Sequence, residues 1–193
     1  MQRRIVNCIL KVLLGVRILF YEALSTGHQE RRVRKRQPVL ILGEGTVTFE
    51  EGVTLGYFPL PFFLSVYIHL EARGRDSYIS IGENTQVNNN FVAIAEHTSI
   101  KIEKRCFVGT NVEILDSDFH GLRVSDRSKS VREDASPVVI GDDVFIRSNT
   151  RIMKSVVIGN GSVIANGSIV VGAVPPGVVA AGNPARVLRS IEG

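Results

Sequence analysis

Cysteine is scarce: Cys8 and Cys106 are the two in 193 residues. They stand far apart and without metal-ligand spacing. That excludes a disulfide framework and makes a reducing cytoplasm the default compartment. Charge of one sign is not in excess either. The 23 basic and 19 acidic residues leave a net charge of +4, too mild to argue for nucleic acid. An uninterrupted apolar run of bilayer length is also missing. Residues 5–24 (IVNCILKVLLGVRILFYEAL) come nearest, but Lys11 and Arg17 interrupt them and no small-residue cleavage site follows. A transmembrane helix and a signal peptide are both argued against. The length fits one domain with modest attachments, and 44% apolar with 22% charged residues is a globular balance.

What residues 5–24 do resemble is an amphipathic helix. Arg4, Asn7, Lys11 and Glu22 fall on one narrow stripe at a 3.6-residue period, leaving a wide apolar face. That face has two destinations, the membrane interface or the rest of the protein, and the narrow stripe favours the second. Arg31, Arg32, Arg34, Lys35 and Arg36 follow within six positions. They read as a solvated linker or as an attraction to an anionic membrane surface. Residues 1–37 are therefore expected to form a helix and basic linker, and 38–193 the folded domain.

The decisive pattern lies in the C-terminal half. Counting in sixes from Ile140 gives Ile146, Ile152, Ile158, Ile164 and Val170 without a break, with Gly141, Gly159 and Ala165 directly after three of these positions. Neither a helical nor a strand period fits; a hexad does. Hexads are the signature of a parallel β-helix, in which three six-residue sides make one triangular coil and several coils must stack to be stable. Ile81, Val87 and Ala93 form an earlier set, and Ile102, Val108 and Ile114 another. Three extra residues between these sets predict a small bulge at a corner. Leu42-Gly43 and Leu55-Gly56 suggest a further, less regular coil. Residues 57–65 (YFPLPFFLS) break the pattern and read as an apolar excursion packed against a neighbour, with a lid or acceptor platform as the alternative. Residues 120–138 are polar and aperiodic, a loop thrown out of the solenoid, and long loops in compact repeat proteins usually carry function.

The run IGDDVFIRSNTRIMKSVVIGNGSVIANGSIVVGAVPPGVVAAGNPARVLR over 140–189 resembles the C-terminal signature of hexapeptide-repeat acyltransferases. It is most similar to galactoside and maltose O-acetyltransferases and to relatives acting on lipopolysaccharide and capsule sugars. The resemblance is looser over 79–120 and weak or absent before residue 70. It implies an all-β fold, a left-handed parallel β-helix, carrying here an N-terminal amphipathic helix. It also implies a cytoplasmic bacterial enzyme, a homotrimer with active sites between neighbours, acetyl-CoA as co-substrate without a metal, and a sugar acceptor from surface-polysaccharide synthesis. A threefold ring of flat-faced prisms would close such an assembly.

Acetyl transfer from a thioester to an alcohol needs a base for the attacking hydroxyl, and a histidine suits that role near neutral pH. His28 reads as solvated, His69 as a surface or interface residue and His97 as structural. His120, in DSDFHG, ends a regular coil and opens the excluded loop, where the resemblance implies the catalytic histidine. Asp116 and Asp118 precede it. Asp118 is expected to orient the ring or assist the base, Asp116 to face the substrate, and Glu96 is a weaker alternative. Asn90 in VNNNFV matches an acceptor-binding asparagine of the galactoside branch, although asparagine ladders are also common in β-helices. Asn88 and Asn89 read as structural. For the cofactor, the resemblance implies Ser148 beside the pantetheine arm and Asn166 where the family usually has alanine. It places Arg186 and Arg189, as part of a CoA-binding C-terminal tail, near the nucleotide phosphates. Two departures stand out: Arg147 replaces the usual glycine, and Val171-Gly172 replaces the usual Thr-Lys pair. The lost lysine leaves one CoA phosphate contact open: either Arg147 or Lys154 compensates for it, or CoA binds more weakly.

Three other readings compete. The residues near His120 do not separate N-acetylation of an amino-sugar nucleotide or acetylation of an antibiotic from O-acetylation. A γ-class carbonic anhydrase shares the solenoid but needs three metal-binding histidines, which this pattern lacks. A non-catalytic β-helix scaffold predicts no CoA binding.

Overall fold

The computed structural model describes residues 2–31 and 33–192. After a helix, α1 (Gln2–Leu24), nearly all regular structure is short parallel strand arranged as three sheets. The first face stacks His28–Gln29, Thr46–Phe49, Tyr78–Ile81, Ser99–Ile102, Val138–Ile140 and Val157–Ile158. The second begins with Arg34–Lys35 and Thr54–Leu55, the third with Val39–Leu42 and Ile68–Ala72. The chain visits the faces in rotation, so each strand pairs with the one a full coil away, and the result is a three-sided parallel solenoid.

The hexad aliphatics form its core. Ile81, Ile102, Ile140 and Ile158 lie in register on the first face, and Val87, Val108, Ile146 and Ile164 on the second. Ala93, Ile114, Ile152 and Val170 do so on the third. None of these twelve is more than 1% exposed. The residue three places after an inward aliphatic turns the corner in the left-handed backbone region, as at Asn84, Asn90, Arg105, Asn111, Asp143 and Asn149. Asparagine and aspartate tolerate that conformation better than bulkier residues, which accounts for their recurrence at this place in the hexad.

Two segments leave the prism. Residues 56–67 depart between the second and third faces, and residues 116–137 between the third and first, the latter including two single turns of 3-10 helix. The last full side is followed by a hairpin, Val178–Gly182 with Ala185–Ser190, which closes the second face in antiparallel pairing.

The solenoid starts earlier than the sequence suggests. His28–Gln29 pairs with Thr46–Val47 and Arg34–Lys35 with Thr54–Leu55, so the boundary expected at residue 37 falls inside the first coil. Arg34 and Lys35 of the basic run are thus part of a sheet, because a β-helix edge accepts residues whose backbones can pair whatever their side chains. Helix α1 docks on this coil and on the 56–67 excursion. Arg17 donates to the carbonyls of Leu64 (2.6 Å) and Val66 (2.9 Å), and Tyr21 stacks on Tyr67. Ser25 Oγ accepts from the Ile41 N–H, tying the end of the helix to the third face. Of the polar stripe, Lys11 and Glu22 are exposed, whereas Arg4 and Asn7 lie outside the residues whose side chains are described, as Arg32 lies outside the described residues.

Candidate active site

The corner between the third and first faces is held by carboxylates. Asp116 is fully buried and accepts from the backbone N–H groups of Glu96 (2.7 Å), His97 (3.2 Å) and Thr98 (2.7 Å), and from Thr98 Oγ1 (2.8 Å). These donors belong to the bulge that the three extra residues predict. Asp116 is therefore not placed to meet a sugar: its oxygens satisfy donors of the coil below, and no surface is left to approach. Its own carbonyl accepts from Ser136 N–H (2.8 Å), so the same residue pins both ends of the departing loop.

Above it, Glu96 is 6% exposed and binds Ser117 Oγ (2.9 Å) and Arg73 (3.0 Å). Ser117 Oγ in turn accepts from the Phe119 N–H (3.0 Å). Phe119 has a φ of 62° and lies under the Arg73 guanidinium, 5.1 Å from the ring centre. A left-handed phenylalanine is unfavourable on its own and persists here because its neighbours fix it. The effect is to turn the chain outward and present His120 at the surface, in an open hollow of about 500 Å³ shared with Asp118, Gly121, Leu122 and Arg127. Asp118 does not orient the imidazole as expected. Its carboxylate is paired with Lys154 (2.7 Å), which also donates to the Asp134 carbonyl and so braces the base of the loop. His97 bonds Ser130 Oγ (2.8 Å) and His69 bonds Glu71 (3.1 Å), each part of the support around the corner.

Burial works to raise the Glu96 pKa, but hydrogen bonds from Ser130, Ser117 and Arg73 outweigh it and hold the carboxyl below its ordinary value of 4.5. The Arg73 hydrogen bond lowers the Glu71 pKa too, against the opposing effect of burial and with His69 adding to it. A depressed carboxyl binds its proton more weakly folded than unfolded. Its stabilisation is therefore complete above the unfolded value and lost as pH falls through the folded one. The urea midpoint is expected to hold from neutral pH to roughly pH 5 and to decline below it. Glu96→Gln should be less stable at neutral pH and decline less steeply. Parallel wild-type and variant curves across the acid range would contradict this account.

The cofactor candidates gather at a different corner, between the second and third faces. Ser148, which accepts from the Thr110 N–H (3.2 Å), and Asn166 line one hollow of about 360 Å³ together with Arg147, Phe145 and the Leu60–Phe62 stretch of the excursion. Arg147 is exposed in this groove, and its side chain has no hydrogen-bond partner among the described residues. Asn90 lies at this corner as well, not beside His120. Its Nδ2 donates to Asn111 Oδ1 (2.8 Å), and Asn111 donates to Asn149 (2.9 Å), an exposed ladder of left-handed residues. Asn89 is structural as expected, with a definite task. Fully buried, it receives the Tyr57 N–H and donates to the carbonyls of Tyr57, Leu60 and Pro61, fastening the excursion over the groove. Gln37 secures the excursion's other end through the Phe62 and Val66 carbonyls. Arg186 and Arg189 are exposed on the terminal hairpin strand and donate to the neighbouring Ala185 and Ser190 carbonyls. Sequence reasoning did not single out Arg73, Glu71, Ser117 or Gln37. Glu-Ala-Arg in a strand reads as a solvated edge, and only the fold shows that the two charged residues lean over the corner. Among the described residues, no group of three His, Cys, Asp or Glu side chains is arranged to hold a metal ion.

A family model described as bacterial transferase hexapeptide (six repeats) matches residues 137–172. A protein of Escherichia coli K12 named for lipopolysaccharide biosynthesis O-acetyl transfer, WbbJ, is 32% identical over 161 residues, covering 80% of this chain and 76% of that one. The chain belongs to the hexapeptide-repeat transferases. Other relatives of this hexapeptide-repeat transferase match over less of their length. A Saccharomyces cerevisiae protein named as an acetyltransferase is 42% identical over 115 residues, and Escherichia coli galactoside O-acetyltransferase 36% identical over 123. Each of those matches takes in 60% of this chain, but 57% and 58% of the relatives. Among solved structures, a hexapeptide-repeat containing acetyltransferase from Vibrio cholerae aligns with a TM-score of 0.58 at 25% identity, covering 93% of this chain and 82% of that one. The same protein has been solved with acetyl-CoA. The fold is the left-handed parallel β-helix.

Proposed function

We propose that this transferase moves the acetyl group of acetyl-CoA to a sugar hydroxyl, with His120 as the base. The observation that carries the reading is His120 itself: an exposed imidazole held out from a corner whose other polar groups are bonded to one another. The hydroxyl oxygen attacks the thioester carbonyl while His120 takes its proton; the C–S bond breaks and the proton passes to the departing thiolate. Ser148, Asn166 and Arg147 border the groove for the pantetheine arm, and Arg186 and Arg189 meet the nucleotide phosphates. Asp118 and Lys154 frame the acceptor side. Because His120 and the groove lie at different corners of one prism, a neighbouring copy would complete each site, which favours a homotrimer. The naming of the Escherichia coli relative supports a surface-polysaccharide acceptor such as a lipopolysaccharide or capsule sugar, handled on the cytoplasmic side. A panel of sugar acceptors offered with acetyl-CoA, read by thiol release and by NMR location of the new ester, tests this. Thiol release only with amino sugars would replace O-transfer by N-transfer.

Arg186→Ala and Arg189→Ala are each expected to weaken CoA about tenfold or more, since a charge-assisted bond contributes roughly 1.5–3 kcal/mol. Dephospho-CoA should bind the two variants and the parent alike. Titrations in which neither variant separates the two ligands would remove these arginines from the phosphate site.

A further inference from the structure

We infer that the outer face of α1 is a docking surface for an anionic lipid bilayer. The helix turns its Leu10, Leu14, Ile18 and Tyr21 side toward the solenoid, where these residues are half-buried. The opposite side is left uncovered: Ile9, Val12, Leu13, Val16, Leu19 and Phe20 are between 46% and 65% exposed. Scattered exposed aliphatics need no explanation, but six on one side of one helix form a continuous apolar strip. Arg17, the charge that interrupts the apolar stretch in the sequence, is folded inward onto the Leu64 and Val66 carbonyls. Among the described side chains, the strip from Ile9 to Phe20 on the outer side therefore carries no charge.

Charge complementarity names the occupant. Nine of the 23 basic residues but only two of the 19 acidic ones fall in residues 1–37, so the remainder of the chain carries more acid than base. On the flank between the uncovered and the docked sides, the exposed Lys11 and Arg36 border a hollow of about 450 Å³ with Leu10, Leu14 and Phe58, while the third cation there, Lys35, is paired with Glu22 (2.9 Å). Apolar surface bordered by cations is the pattern that a helix lying in an anionic membrane interface requires, with aliphatics below the headgroups and ammonium and guanidinium groups at their level. A second copy of the same helix would bring like charges together. No helix among the described residues is long and apolar enough to cross a membrane, so the contact is one of lying on the surface. The inference does not depend on the reading of the chemistry.

The test uses the full-length protein and sedimentation with vesicles of phosphatidylcholine alone or with about one-third phosphatidylglycerol. Binding at least tenfold stronger to the anionic vesicles is expected, and it should fall when salt is raised from about 0.1 M to 0.5 M, where screening shortens the reach of the cations. Val16→Glu/Phe20→Glu, on the uncovered side, should lose at least tenfold in vesicle binding. Its mass by light scattering and its acetyl transfer to a soluble acceptor should stay as in the parent. Equal or absent binding to the two vesicle types overturns the inference. So does a change of mass in the double variant, which would make the strip a contact between copies.

Discussion

Replacing His120 by alanine is expected to cut acetyl transfer by roughly 10²-fold or more, because a positioned base contributes about 10²–10⁴-fold. The fold should not register the change. The imidazole is exposed, and the turn presenting it is fixed by Ser117, Glu96 and Arg73 rather than by His120 itself. CoA affinity should also be retained, since the proposed groove lies at another corner. The useful measurement is therefore a pair: turnover and CoA titration on the same preparation. Parent-like turnover would remove His120 from the chemistry, whereas a joint loss of turnover and CoA binding would mean that the two corners are not independent.

Asp116→Ala should have the largest effect on stability. The substitution leaves three backbone N–H groups and a hydroxyl without their acceptor, around a carboxylate that is itself fully buried. Each buried donor left unsatisfied costs about 1–3 kcal/mol, so a loss of at least 3 kcal/mol is expected after partial relaxation. For a chain of this size that corresponds to a melting point roughly 10 °C lower. Activity should fall with it, because the loop bearing His120 departs from this residue. A melting point within about 2 °C of the parent would show that water reaches these donors, which a buried clamp does not allow.

Most of the solenoid was legible because its signal is local and repeated. Each aliphatic of the Ile140 to Val170 run reports the same environment, and the rows stack as the period requires. The first coil was not legible, since His28–Gln29 and Arg34–Lys35 contribute backbone pairing rather than an inward aliphatic, and a basic run looks alike in a sheet and in a linker. Site geometry was harder still. The order Asp116, Asp118, His120 suggests one alternating strand with a shared face, but the strand ends at Leu115 and Phe119 is left-handed. Each residue therefore faces its own way: Asp116 into the coil below, Asp118 to Lys154 and His120 to water. Asn90 shows the same limit. Its position thirty residues before His120 places it on another corner, because the turn count, not the sequence distance, decides which side of the prism a residue reaches.

That counting also governs how the chain can change its length. Successive equivalents such as Ile140 and Ile158, or Ile146 and Ile164, are separated by one whole turn. Duplicating such a turn beyond His120 would slide the terminal hairpin outward by one strand spacing, about 4.8 Å, and leave every later residue on its own side. Adding a single side instead would rotate everything after it by a third of a revolution, carrying Ser148 or Arg186 from its own corner of the prism to the next. Insertions in the regular part of this molecule are thus tolerated in steps of full turns, while the two excursions, which already leave the prism and return to the same corner, can lengthen or shorten one residue at a time.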